Sequence, residues 1–287
     1  SASGYFGAFS SEQVRRDLNI WVKGKKLGAG TFGKVFSLTH RESGIKVAMK
    51  EVKIESQCSE SQEGVKQLEN ELVKLRRLRH PRIVRVHGIE QKGDVIYLFL
   101  DFMAGENELF PVLVFETMTC SVNLRMKDQY GNEILHFLQG SLRDFIKQSG
   151  KLDERLTGKF TRQILEGVDY LHDNEKIGTK TDLKSFVGTT FWMAPEILRG
   201  EGYGRNADIW SVGCTVVEML TGDPPLKNLE PQAAMFRIGS KPLVVQEELP
   251  ESTEEARDFV RAALTWLVNP TERPNCKELL THPFVKV

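Results

Sequence analysis

The hydrophobic pattern of this chain changes character partway along its length. Trp21 to Val35 reads as a strand-like stretch running into Gly28, Gly30 and Gly33. A second strand over Lys46–Val52 follows a turn at Ser43 and Gly44, so together they predict a hairpin with a glycine-rich tip. Val65, Leu68, Leu72, Leu75 and Leu78 then recur at three- and four-residue spacing, which predicts a helix ending before His80 and Pro81. Val95 to Phe102 alternates and runs apolar, as a buried strand does. Beyond Gly140 the spacing becomes helical: Leu142, Phe145 and Ile146, then Phe160, Ile164, Val168 and Leu171. Strands give way to helices, so the pattern predicts an α+β architecture with a small mixed part followed by a mostly helical one. Ile209 to Leu220 is apolar on nearly every face, which predicts a helix buried on all sides at the centre of the second part.

Composition narrows this picture only a little. At 287 residues the chain is long enough for two lobes, and 39 basic against 39 acidic side chains give no global pull toward nucleic acid or acidic lipid. Any electrostatics that matter are local. Cys58, Cys120, Cys214 and Cys276 show no CxxC pairing, and the six histidines show no ligand spacing, so neither a disulfide framework nor a metal site is expected. A reducing, cytoplasmic setting is the expectation. No apolar run approaches the roughly 18 residues of a spanning helix, and no signal-type apolar core is present at the N-terminus. A start at Ser1 rather than Met reads as a domain excised from something longer.

The chemistry-bearing residues sit on the predicted hairpin. Gly28, Gly30, Gly33 and Val35 spell GxGxxGxV, and glycine there lets backbone amides approach phosphate groups with no side chain between. The same glycine spacing serves dinucleotide-binding folds, but there it runs from a strand into a helix; here it joins two strands. Val47, Ala48, Met49 and Lys50 form VAxK on the following strand, and Glu71 lies on the helix flanked by Leu68, Leu72 and Leu75. At these offsets the chain resembles the protein kinases, in which the lysine reaches the α- and β-phosphates of ATP and the glutamate pairs with the lysine. Leu100, Asp101, Phe102, Met103 and Gly105 resemble the connection between the two lobes, with Leu100 in the gatekeeper position and the backbone near Asp101 and Met103 receiving the adenine. By the same resemblance Leu27, Val35 and Ala48 enclose the nucleotide.

The second part carries more specific strings. Gly188 to Glu196 reads GTTFWMAPE, similar to the GTxxWMAPE that ends a kinase activation segment, where Thr189 would help shape the site for a serine or threonine acceptor. In the family the glutamate of this motif, here Glu196, pairs with an arginine near the C-terminus, and Arg273 in NPTERP fits. Asp208 to Cys214, DIWSVGC, with Thr215 to Thr221, TVVEMLT, resembles the buried helix of the MAP kinase kinase kinase branch, and Leu279 to Phe284, LLTHPF, is similar to the family's last helix. The resemblance implies a two-lobed protein kinase fold that binds ATP, uses Mg2+, answers to upstream activators and phosphorylates MAP kinase kinases.

One part of the family pattern is missing. The catalytic loop HRDxxxxN should follow the helix ending at Leu171 and His172, and DFG should follow that loop, yet neither HRD nor DFG occurs in the chain. Asp182, Leu183, Lys184 and Ser185 imitate the start of a catalytic loop, but Asp182 precedes Glu196 by 14 residues where the family places roughly 40. DLKS therefore reads as the end of an activation loop. The missing aspartates orient the acceptor hydroxyl and hold magnesium, so the ligands for Mg2+ are absent and phosphotransfer is expected to be impaired. In the family Asp208 anchors the missing loop. An orphaned buried carboxylate and an uncovered apolar helix are therefore expected, and with them a fragile second lobe.

The resemblance covers residues 19–105 and 140–287, with 1–18 an N-terminal extension and 106–139 an interruption that includes the apolar run Phe110 to Phe115. Removing 106–139 joins Phe102–Gly105 to Gly140 as FMAGGSLRDFI, which reads as a continuous kinase segment. Gly105-Glu106-Asn107 can be encoded with a GTGAG splice donor, and Phe137-Leu138-Gln139 as a pyrimidine-rich acceptor, so 106–139 reads as a translated retained intron, with the catalytic-loop gap a skipped exon or a gene-model error of the same kind; a surface insertion is the alternative for 106–139. Arg76, Arg77, Arg79, Arg82 and Arg85 read as a solvated helix end, and Thr179, Thr181 and Ser185 as solubilising hydroxyls at activation-loop positions. Three function classes follow: a MAP kinase kinase kinase, a pseudokinase binding module, and a nonfunctional splice product.

Overall fold

The computed structural model describes residues 20–30, 33–53, 78–83, 85–92, 95–102, 142, 146, 149–174, 190–201, 204–265 and 270–286. The chain divides into two units, one holding the described strands and the other the described helices. The helix expected over Val65–Leu78, apart from Leu78, lies outside the described residues, as do Glu71, Met103, Thr189, the segment 106–139 and the stretch 175–189.

The first unit is an antiparallel sheet of β1 (Trp21–Gly30), β2 (Gly33–His40), β3 (Lys46–Lys53), β4 (Val86–Lys92) and β5 (Val95–Asp101), in the order β1-β2-β3-β5-β4. Strand periodicity divides its faces. Leu38, Val47, Met49 and Phe99 share one face and form a buried cluster with Trp21. Val35, Ala48, Lys50, Leu98 and Leu100 hold the alternate positions and share the other. The expected glycine-rich tip is the β1–β2 connection, where Gly28 stands opposite Val35 and Gly30 opposite Gly33. β4 was not legible in the sequence, because Val86-His87-Gly88-Ile89-Glu90-Gln91-Lys92 has neither clean alternation nor a continuous apolar run.

The second unit is helical. α1 (Glu154–Asp173) starts at Asp153, whose carboxylate accepts from Leu156 N at 2.8 Å, and it buries Phe160, Ile164, Leu165, Val168 and Leu171 along one stripe. α2 (Pro195–Leu198) is a single turn opened by Pro195. α3 (Arg205–Thr221) ends at Gly222, whose φ of 90° supplies the left-handed cap that a side chain would strain. α4 (Pro231–Ser240), α5 (Val245–Glu248) and α6 (Glu254–Ala263) follow, and α7 (Cys276–Leu279) is closed by a capping box between Asn275 and Glu278.

Two expectations are corrected here. Every residue of α3 from Ala207 to Leu220 is buried, so the helix is covered rather than left bare. α1 and α6 pack on it, and at Gly213 an added Cβ would come within 2.8 Å of Leu264 Cδ2 and 2.9 Å of Ala263 Cβ. The string LLTHPF, Leu279–Phe284, is also not one continuous helix. α7 stops at Leu279 because Pro283 holds His282 in an extended conformation, and Pro283–Val285 forms a 3-10 turn that buries Phe284 and Val285. Among the described residues no helix is long and apolar enough to cross a membrane.

Candidate functional site

Lys50 is the centre of the candidate site in the strand unit. It lies on β3 with Val35 of β2 and Leu98 of β5 as cross-strand neighbours, and it is only 2% exposed. Ala48, two residues earlier on the same face, stands opposite Leu100. Burial among these aliphatic neighbours pushes the Lys50 ammonium down to about 7, since the charged form loses its hydration. The backbone of the glycine tip continues the same strands, with Gly28 opposite Val35. Leu27 is also placed by β1.

Asp101 ends β5, and its position is fixed more firmly than the sequence suggested. Its Oδ1 accepts from His87 Nε2 at 2.6 Å, its Oδ2 accepts from Arg85 N at 3.2 Å, and its own N–H donates to Arg85 O at 3.1 Å. Sequence reasoning missed His87, because a single histidine between Val86 and Gly88 carries no spacing signal. The register of β4 and β5 could have found it only after the sheet was known.

In the helical unit Glu196 and Arg273 are brought together. Arg273 Nη1 and Nη2 donate to the two carboxylate oxygens of Glu196 at 2.9 and 3.3 Å, with both residues buried. The remaining donor capacity goes to the carbonyl oxygens of Thr265 and Asn206, and the guanidinium lies 5.3 Å from the centre of the Trp210 ring. This is a fully bonded internal pair, suited to joining α2, α3 and the segment after α6.

Asp208 departs from the expectation of an orphaned carboxylate. It is 2% exposed, and its Oδ2 accepts from His172 Nε2 at 2.6 Å, so the last turn of α1 supplies the partner. The other ring nitrogen of His172 lies 3.7 Å from Cys276 Sγ. Burial, followed by the charges of Asp208, Asp169 and Asp173, pushes the Cys276 thiol well up. Cysteine, histidine and aspartate thus stand in line without a nucleophile, because the thiol is held protonated. Nearby, Ser211 Oγ donates to Trp192 O at 2.9 Å, fixing the 3-10 turn Thr190–Trp192 onto α3.

Among the described residues, no group of three or more His, Cys, Asp or Glu side chains is gathered that could hold a metal ion. With DFG missing from the sequence as well, the described residues do not fit the magnesium that kinases use.

The pattern of the protein kinase domain family matches residues 21–139 and 175–285. It runs through 106–139 and passes over 140–174, which contains α1. Mitogen-activated protein kinase kinase kinase 3 of Mus musculus is 33% identical, over 93% of this chain and 42% of that protein. Mitogen-activated protein kinase kinase kinase 1 of Arabidopsis thaliana is 36% identical, over 94% of this chain and 43% of that protein. Mitogen-activated protein kinase kinase kinase 19 of Homo sapiens is 32% identical, over 97% of this chain and 21% of that protein. The chain thus spans roughly two fifths of the length of the first relatives it matches, and less of others. With its antiparallel sheet, its helical unit and this family match, the chain belongs to the protein kinase family as a domain of the MAP kinase kinase kinase type.

Proposed function

We propose that this chain binds ATP through its strand unit and transfers phosphate, if at all, far more slowly than a complete kinase. The complete protein of this type acts in a MAP kinase cascade, receiving signals from upstream activators and phosphorylating serine or threonine on MAP kinase kinases. Lys50 positions the α- and β-phosphates, Glu71 holds Lys50, and Leu27, Gly28, Gly30, Gly33 and Val35 cover the nucleotide. Ala48, Leu100, Asp101 and Met103 receive the adenine, and Thr189 shapes the acceptor site.

The observation that carries this reading is Lys50 itself. Its amine is 2% exposed on the sheet face of Val35, Ala48, Leu98 and Leu100, and Val35 stands opposite Gly28 of the glycine tip, the setting in which the VAxK lysine of kinases meets the phosphates. Phosphate oxygens there favour the charged amine that burial disfavours. Impairment follows from the sequence between His172 and Gly188, which has no HRD and no DFG. Losing a general base costs about 10² to 10⁴ in rate, and losing the metal costs several kcal/mol more.

Thermal unfolding with and without ATP tests the binding half of this reading. The wild-type chain is expected to gain several degrees at nucleotide concentrations about a hundredfold above Kd, equivalent to about 2.7 kcal/mol, and Lys50→Met is expected to gain less. Equal behaviour of the two proteins would count against Lys50 as the phosphate ligand.

A further inference from the structure

The register of β4 against β5 slips at one residue. Val86 stands opposite Leu100 and Gly88 opposite Phe99, so His87 is the extra residue of a β-bulge. A bulge interrupts the ladder and turns the side chain of its extra residue off the regular alternation. Here that side chain is buried, and it reaches Asp101, the last residue of β5, at 2.6 Å. A strand end is where a sheet frays, yet Asp101 is tied to the start of β4 three times: through His87 Nε2, through Arg85 N and through Arg85 O. The bond joins a buried imidazole to a carboxylate that is 26% exposed, and hydrogen bonds to carboxylates are stronger than those between neutral groups.

We propose that His87 is a positioning residue for nucleotide binding: by clamping the Asp101 carboxylate it sets the direction in which the backbone leaves β5, where the adenine is received. This rests on the nucleotide reading above and adds to it a residue outside the GxGxxGxV, VAxK and interlobe strings. His87 does not touch the nucleotide in this account. It acts through Asp101.

Calorimetric titration with ADP in the presence of EDTA tests the role, alongside thermal unfolding of each protein without ligand. His87→Leu fills the volume but donates nothing, and it is expected to weaken ADP binding about tenfold, the effect of losing one hydrogen bond to a charged group. His87→Gln, whose amide reaches as far as Nε2, is expected to stay within about threefold of wild type. Asp101→Ala, which removes the acceptor, should weaken binding at least as much, and adding His87→Leu to it should cost little more, because the bond between them is already gone. Unchanged ADP affinity in His87→Leu overturns the proposal. Equal losses in His87→Leu and His87→Gln also overturn it, by making the effect one of packing. If His87→Leu does not fold, Asp101→Ala with the His87→Gln comparison decides in its place. Wild-type protein that binds no ADP sinks the nucleotide reading itself, whereas wild-type binding with an unaffected His87→Leu removes only the role of His87.

Discussion

A buried lysine makes the stability of this chain depend on pH in a particular direction. The Lys50 pKa is lowered from 10.5 to about 7 in the fold, so between those values the folded chain binds fewer protons than the unfolded one. Stability therefore rises with pH across that window, and the cost of the buried charge is fully present below about 7. Urea unfolding at pH 7 and pH 9.5 should show the wild type gaining as much as about 3 kcal/mol relative to Lys50→Met. A constant difference between the two proteins would mean that the amine is solvated. The Glu196–Arg273 pair behaves differently, because its donors and acceptors are satisfied inside the protein. Glu196→Gln leaves a buried guanidinium short of its countercharge and is expected to cost about 3 to 5 kcal/mol in urea unfolding. The partners of both carboxylates had different legibility. Arg273 was visible through a family string, while His172 was read only as the end of a helix, because contact between residues 172 and 208 is a product of packing α1 on α3.

Among the elements, α3 is the one that organises the helical unit. Its sequence was apolar all round, and that was enough to place it at a centre but not to say what covers it. The cover comes from α1 and α6. α1 was announced by a regular stripe, whereas α6 was not read at all, since its buried set Ala256, Phe259, Val260 and Ala263 is diluted by five charged residues, Glu254, Glu255, Arg257, Asp258 and Arg261. Gly213 marks the closest approach between α3 and the end of α6, so Gly213→Ala is expected to destabilise the unit by about 1 to 3 kcal/mol through overpacking against Ala263 and Leu264. Denaturant unfolding checks this. Phe236 on α4 is the converse case: it is 78% exposed, and Phe236→Ser should change stability by no more than about 0.5 kcal/mol. The sheet was legible in β1, β3 and β5; Trp21–Val35 was read as one strand, so β2 was not separated from β1, and β4 was illegible because the bulge at His87 breaks the period that reading depends on.

For the whole molecule, family and fold were carried by strings at element ends, such as the glycine tip and MAPE, and by strings inside elements, VAxK within β3 and DIWSVGC within α3. The site was legible only in part, because Lys50 and Asp101 owe their settings to neighbours on other strands. Between His172 and Gly188 neither HRD nor DFG is present, and the proposed loss of phosphotransfer rests on that absence. A nucleotide can be held by a lysine and glycine backbone, but consuming it takes a base for the acceptor hydroxyl and ligands for the metal. The direct measurement is transfer of the terminal phosphate of radiolabelled ATP to a MAP kinase kinase, run in parallel with wild-type chain and Lys50→Met in excess magnesium. Labelling by the wild-type chain no faster than by Lys50→Met is the result predicted here, and magnesium-dependent labelling that Lys50→Met abolishes would contradict it.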